Sequence, residues 1–370
     1  MTSSPTGPRL ADLPPATDPR PPAPSAFAYP GAAGPHPTAQ HPHPVGQSFP
    51  AGYPQPYPQS GTARPGRIQP APAGTAYHRL ARTPAHRWWR PVVGTLLVLV
   101  GIGVLTLLVA VPWVVAAELT GQPDGSDGTP SFGPLADTGF LLVSLAVLIP
   151  VVLLAARWAQ ARPAGSVSSV TGRLRWRWLG LCLLLAVPTV VLMVGGFSGL
   201  LVVTGDWSTA EVGGTGWVGV RTFAISMAVL LALVPLQAAA EEYLCRGWLL
   251  QAVGAYLRNP WIAIVPQALV FAAAHGWGTR WGFADLVLFG LVTGWLTVRT
   301  GGLEAAIGLH VVNNLAGLGL AAATGELGSE ATAADAPWQL LAVDLVVVVG
   351  YAVVVNWLAT RRRLAVTVPA

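Results

Sequence analysis

The run FAISMAVLLALVPLQAAAEEYLCRGWLLQAVGAYL, residues 223–257, decides the fold of this chain. It is long and apolar enough to cross a bilayer, because about 20 apolar residues span a hydrocarbon core of about 30 Å. Three ionisable residues interrupt it: Glu241, Glu242 and Arg246. Ionisable side chains are expensive at membrane depth and usually have a function there.

The spacing of these three residues predicts different surroundings for the two glutamates. On a helix, Glu242 and Arg246 stand at i and i+4, where a carboxylate and a cation pair favourably. Glu241 is rotated by about 100° onto another face, so it is expected to stay unpaired and to be available as a base. The alternative is a purely structural ion network, or a helix end whose charges reach the membrane surface.

The composition predicts a polytopic membrane protein. Only 10% of the 370 residues are charged, the mean hydropathy is +0.53, and the apolar residues form long runs. The net charge of +5 comes from arginines beside the apolar runs, where membrane topology explains them, so nucleic-acid binding is not expected.

Residues 1–85 differ from the rest of the chain. They hold most of the 34 prolines and show no periodic apolar face, which predicts a disordered tail. Such a tail could bind a partner through polyproline recognition. The histidines in the tail or at its edge are expected to be solvent-exposed; they are His36, His41, His43, His78 and His86.

The region 86–363 is predicted to form an all-α bundle of about eight transmembrane helices, followed by a short C-terminal tail, 364–370. Arginines cluster before the first span, between the second and third spans, and after the last span. By the positive-inside rule both termini are expected to be cytoplasmic, in a cell membrane. The predicted spans lie at about 91–118, 138–158, 178–203, 220–241, 260–276, 283–299, 303–323 and 338–360.

Two histidines remain within the apolar region. His275 follows Phe271 by four residues, and His310 precedes Asn314 by four, so each pair shares one helical face. A single intramembrane histidine is more often a donor between helices. Because polar groups in lipid turn toward the bundle interior, these pairs and the di-glutamate motif are expected to share one cavity.

These patterns resemble the CPBP family of CAAX-processing and bacteriocin-processing intramembrane proteases, also called Abi or type II CAAX prenyl endopeptidase-like. The family pattern is Glu-Glu-x-x-x-Arg, Phe-x-x-x-His and His-x-x-x-Asn in that order, as it stands here between 241 and 314. The resemblance covers about residues 220–323 and leaves the Pro-rich tail outside it.

The resemblance implies an intramembrane endopeptidase acting on a membrane-associated protein or peptide. It implies that Glu241 and His275 activate a water, while His310 and Asn314 stabilise the oxyanion. Glu242, Arg246 and Phe271 are assigned supporting roles. A metal-free glutamate mechanism is favoured, but Glu241, His275 and His310 also form a plausible zinc set.

Two other functions stay open. A proton-coupled transporter could use the same residues as a relay, although such carriers usually show matching broken helices in both halves. A non-catalytic membrane scaffold or immunity protein could act through its Pro-rich tail. Outside the motifs, Asp285 and Glu304 are expected near water at span ends, and Asp344 is expected to hydrogen-bond a neighbour.

Overall fold

The computed structural model describes residues 67–125, 128–206, 216–329 and 331–370. Within these ranges the chain is helical and contains only isolated β-bridges, which confirms the predicted all-α fold. The α-helices are α1 (Trp89–Thr120), α2 (Pro134–Ala146), α3 (Leu148–Trp158), α4 (Trp176–Thr204), α5 (Val220–Glu242), α6 (Leu250–Gly254), α7 (Trp261–Ala274), α8 (Arg280–Thr300), α9 (Glu304–Thr324) and α10 (Trp338–Arg361).

Among the described residues, 7 helical segments are long and apolar enough to cross a membrane, where eight spans were predicted. Helices α2 and α3 form one of these segments, and α5 continues into α6 as another, Val220–Gly254. The difference is α7, whose 14 residues extend only about 21 Å. The chain turns after it at Gly276, whose φ of 99° suits glycine, and returns through α8.

The two ends of the described chain meet on one side of the bundle. The Gly74 N–H donates to the Val368 carbonyl, and the Val368 N–H donates to Thr75, each over 2.9 Å. Since α10 leads directly to this tail, the loop between α9 and α10 lies at the other end of the bundle, about 36 Å away along α10. The two described ends of the chain and the loop before α10 therefore lie at opposite ends of the bundle.

The predicted tail boundary at residue 85 is wrong for the part of the tail that the structure describes. Tyr77 and Leu80 are 0% and 1% exposed, and a short 3₁₀ turn, Tyr77–Arg79, lies against α6. A Cβ on Gly254 would lie 1.9 Å from the His78 carbonyl oxygen, so the close approach requires glycine. A few apolar anchors thus fix a segment whose average composition predicts disorder; residues 1–66 lie outside the described part.

His78, predicted to be exposed, is buried in this contact. Its Nε2 lies 3.0 Å from the Arg258 carbonyl oxygen, which ties the segment to the loop between α6 and α7. Burial lowers the pKa of the His78 imidazole, because desolvation disfavours its charged form.

The core is built from helices that pack in pairs. Helix α9 lies between α4 and α5, and α8 lies between α7 and α10. Glu304, expected near water, is instead fully buried and pairs with Arg175 Nη2 at 2.6 Å. This arrangement brings the polar positions of α5, α7, α8 and α9 to one interior region.

Candidate active site

The di-glutamate motif lies well inside a long helical segment rather than at the end of a span. Helix α5 ends at Glu242, and the chain continues as a π-helix, Tyr243–Leu249, before α6. Glu241 is thus about 20 Å from the end of the segment at Gly254. Helix α7, which ends immediately before His275, has nearly the same length. Glu241 and His275 therefore lie at similar depths, and their side chains can meet. π-Turns are often found at functional sites.

Glu242 and Arg246 form the buried pair that their spacing predicts. Arg246 Nη1 lies 3.1 Å from Glu242 Oε1, and both side chains are 0% exposed. Arg246 Nη2 also donates to Thr293 Oγ1 on α8 over 2.7 Å. Its guanidinium carbon lies 4.2 Å from the centre of the Phe271 ring, a cation–π contact. The cation is therefore held by three helical segments.

Glu242 also positions His310. The His310 Nδ1–H donates to Glu242 Oε1 over 2.8 Å, because a carboxylate can only accept. This contact assigns the proton to Nδ1 and turns Nε2 toward Glu241. Glu242 thus links the only arginine of the motif to the histidine of α9.

A backbone carbonyl positions His275 in the same way. Its Nδ1–H donates to the Phe271 carbonyl oxygen over 2.8 Å at the end of α7. In the neutral ring Nε2 therefore carries a lone pair. The side chain is 25% exposed, whereas that of His310 is 3% exposed, so His275 stands nearer the open side of the site.

Glu241 faces both imidazoles. Its Oε2 lies 3.6 Å from His310 Nε2 and 3.8 Å from His275 Nε2, and it has no hydrogen-bond partner among the described residues. Each separation exceeds a hydrogen bond but is less than twice its length, so a water can bridge Glu241 Oε2 and either imidazole nitrogen. The predicted residues therefore surround one small polar space.

Asn314 reaches the site through a residue that the sequence reasoning missed. Gln237 Nε2 donates to Glu241 Oε1 over 2.5 Å, and Asn314 Nδ2 donates to Gln237 Oε1 over 3.1 Å. Gln237 lies four residues before Glu241, so a polar residue on the same helical face was the available signal. It fixes the orientation of both the carboxylate and the carboxamide.

Aromatic rings form one wall of the site. The Phe271 and Phe289 ring centres lie 5.8 Å apart, and each ring meets the His310 ring edge-on, at 5.9 Å and 5.4 Å respectively. Phe271 also contacts the His275 ring at 4.6 Å. Phe289 and Thr293 were missed, because no local spacing links α8 to the motifs.

The polar residues open into a cavity of about 380 Å³ between α4, α7, α8, α9 and α10. His275, His310 and Asn314 lie in its wall, and its far side reaches the loop Ala331–Pro337 that precedes α10. The cavity thus extends from His275 and His310 toward the end of the bundle opposite the two described chain ends.

The zinc alternative concerns Glu241, His275 and His310. In the part of the chain that the structure describes, no group of three or more His, Cys, Asp or Glu side chains has the geometry of a metal site. The contact of His310 Nδ1 with Glu242 does not argue against zinc, because a carboxylate commonly occupies that position when Nε2 binds a metal. Metal binding by these three residues stays a prediction.

Comparison with known proteins gives a family match over the part of the chain that carries the motifs. Residues 223–316 match the family model described as type II CAAX prenyl endopeptidase Rce1-like, which confirms the resemblance. The "Uncharacterized protein YyaK" of Bacillus subtilis (strain 168) is 28% identical over 194 residues. That alignment covers 49% of this chain and 60% of the relative, so the chain spans less than two thirds of the relative's length. No solved structure matches the chain.

Proposed function

We propose that the protein is an intramembrane endopeptidase with Glu241 as its base, because residues 223–316 match the Rce1-like type II CAAX prenyl endopeptidase family model. One observation carries the proposal: the unpartnered Glu241 Oε2 faces the Nε2 atoms of His275 and His310 at 3.8 Å and 3.6 Å. A carboxylate left unsatisfied in an apolar bundle is costly unless it serves a reaction or a ligand.

The arrangement supports activation of a water between Glu241 and His275. Both Glu241 Oε2 and the neutral His275 Nε2 are acceptors, so a bridging water donates one hydrogen to each. A lone pair of the water oxygen then stays free to attack a peptide carbonyl. Proton transfer to a positioned base of this kind is worth about 10²–10⁴ in rate.

His310 and Asn314 are the proposed oxyanion donors. One N–H of the Asn314 amide donates to Gln237, and the other has no acceptor among the described residues. His310 already donates through Nδ1, so it can donate through Nε2 only when protonated. With His310 protonated, Glu241 and Glu242 are balanced by Arg246 and His310, and the buried cluster is neutral.

Peptide hydrolysis is proposed to proceed in two steps. Water attacks the carbonyl carbon, a carbon–oxygen bond forms, and the released proton goes to Glu241, while the carbonyl oxygen takes the negative charge. When the tetrahedral intermediate collapses, the carbon–nitrogen bond breaks and Glu241 returns the proton to the leaving nitrogen. The products are a carboxylic acid and an amine.

The proposed substrate is a membrane-associated protein or peptide, because the site is reached from within the bundle. The proposed location is the cell membrane, with the basic end of the bundle, which holds both described ends of the chain, toward the cytoplasm. The cavity then extends toward the opposite side. The Pro-rich segment before residue 67 is proposed as a partner-binding tail that hydrolysis does not need.

Mapping of protein termini in membranes tests the proposal. Cells carrying wild type, Glu241→Gln or His275→Ala are compared, with Glu118→Gln as the matched control on an exposed face of α1. We expect the same new termini to fall by about 100-fold or more in both site variants and to persist in the control.

The same experiment separates the alternatives. Solute uptake that depends on Glu241, with unchanged termini, would favour a transporter. A phenotype lost on deletion of residues 1–66 but kept in Glu241→Gln would favour a scaffold. Chelator treatment of purified protein that abolishes cleavage, with recovery on zinc addition, would favour the metal mechanism.

A further inference from the structure

Two aspartates on the far wall of the cavity lack partners. Asp285 on α8 is 7% exposed and Asp344 on α10 is 5% exposed. The Oδ1 atom of each is buried and has no hydrogen-bond partner among the described residues. Asp285, expected near water at a span end, is largely buried in the cavity wall. Asp344, expected to hydrogen-bond a neighbour, has no partner at Oδ1 among the described residues.

Both aspartates line the cavity that also holds His275 and His310. No arginine or lysine lies among its described lining residues. A third acid, Asp335, is already satisfied at the cavity edge, because its Oδ2 accepts from the Thr332 N–H over 2.7 Å. The cavity therefore contains buried carboxylates but no cation among its described lining residues. A bound cation would offset the negative charge of these carboxylates.

The walls decide which kind of cation fits. Besides its polar groups the cavity has apolar lining residues, among them Met193, Phe197, Leu286 and Leu340. A hard metal ion requires six or more oxygen ligands, which such walls do not supply. An aliphatic stem that ends in an ammonium or guanidinium matches both the walls and the acids.

We propose that Asp285 and Asp344 form a binding subsite for a cationic side chain, lysine or arginine, of the substrate peptide. The proposal rests on the proposed endopeptidase function for its biological meaning, but not for the binding itself. Asp285 lies one helical turn, about 6 Å, from Phe289, whose ring meets His310. One extended residue spans about 3.3 Å, so the basic residue lies within about two or three positions of the cut bond.

The first test uses cleavage. In the terminal mapping described above, wild-type cut sites should be enriched in Lys or Arg within three positions of the new terminus. In Asp285→Asn and Asp344→Asn the cutting of basic sites should fall by about tenfold or more relative to neutral sites, since hydrogen bonds to charged groups are the stronger class. Asp124→Asn, an exposed loop residue, is the matched control and should leave the preference unchanged.

The second test measures binding without catalysis. Full-length Glu241→Gln protein in nanodiscs is titrated with butylguanidinium or with butanol, and thermal unfolding is followed with a thiol-reactive dye that reports exposure of the buried Cys182 and Cys245. Butylguanidinium should stabilise the protein and butanol should not. Adding Asp344→Asn should weaken the guanidinium effect by about tenfold or more.

The outcomes separate the two proposals. Cation binding that depends on Asp344, without any new termini in wild type, would keep the subsite and overturn the endopeptidase. New termini with no basic preference, together with equal effects of butylguanidinium and butanol, would overturn the subsite and keep the endopeptidase. Stabilisation by calcium chloride but not by butylguanidinium would overturn the organic cation in favour of a metal.

Discussion

Replacing Glu242 tests whether one buried carboxylate holds the site together. Glu242 is fully buried and contacts Arg246 at 3.1 Å and His310 at 2.8 Å. In Glu242→Gln the Arg246 cation stays buried without its carboxylate. Removing one partner of a buried ion pair costs about 3–5 kcal/mol. At an unfolding entropy of about 2.1 cal/mol/K per residue, this corresponds to a fall in Tm of about 5–8 °C for a helical domain of about 280 residues.

The second substitution should reverse part of that loss. In Glu242→Gln with Arg246→Met, the uncompensated cation is gone and the methionine can pack on the Phe271 ring. Replacing both partners of a buried pair is often close to neutral, so the Tm of the double variant should return most of the way to that of wild type.

Activity should follow charge balance rather than stability alone. In the single variant Glu241 balances Arg246, so a proton on His310 would leave an excess positive charge. We expect cleavage to fall by about 10²–10³, as for loss of one oxyanion donor. The double variant again leaves Glu241 to balance a protonated His310, and activity should recover in part.

Thermal unfolding in detergent provides the assay, because the two free cysteines, Cys182 and Cys245, are both buried and become reactive on unfolding. The control is Glu304→Gln, which breaks a second ion pair, between the buried Glu304 and the partly buried Arg175, away from the site. It should lower Tm while leaving cleavage per folded protein unchanged. A double variant that melts no higher than Glu242→Gln would refute the reasoning.

Three further predictions test other parts of the structure. Gln237→Leu removes the donor to Glu241 and should lower kcat by about 10–100-fold with little change in KM. The kinetics are measured on a peptide identified by terminal mapping. An equal rise in KM would instead indicate that Gln237 contacts the substrate. Gly254→Ala places a Cβ 1.9 Å from the His78 carbonyl oxygen. It should reduce the free energy of unfolding by about 1–3 kcal/mol, measured as a lower Tm. An unchanged Tm would show that the contact between Gly254 and His78 contributes little to stability. Thr367→Cys should react with an impermeant maleimide only after the cells are permeabilised. Asp335→Cys should react with it in intact cells. The reverse pattern would contradict the proposed orientation.

Local spacing predicted the parts of the site that lie on one helix. The pairing of Glu242 with Arg246 follows from i and i+4, and the polar faces of α7 and α9 follow from the same period. The meeting of these faces follows from the cost of polar groups in lipid, which drives them inward. Neither argument needs the arrangement of the helices.

Contacts between helices could not be predicted in this way. Thr293 and Phe289 lie on α8, about 50 residues from the di-glutamate motif, and nothing in their own sequence pattern distinguishes them. The π-helix was missed because hydropathy ends a span at the first charges, whereas the helical segment continues through them to Gly254. The packed segment before α1 was missed because an average over many prolines conceals Tyr77 and Leu80.

The neighbouring glutamates show why a membrane site needs both a paired and an unpaired carboxylate. Glu242 contacts both Arg246 and His310 through Oε1, so it can orient His310 but cannot take up a proton without weakening its pair with Arg246. Its Oε2 is buried without a hydrogen-bond partner among the described residues, but its charge is balanced by Arg246. Glu241 Oε1 accepts from the neutral Gln237, and its Oε2 has no partner among the described residues. Across the cavity, the Oδ1 atoms of Asp285 and Asp344 likewise have no partner among the described residues. A carboxylate oxygen that lacks both a donor and a paired cation can bind a molecule that enters the site, and we expect a water beside the histidines and a cation at the far wall.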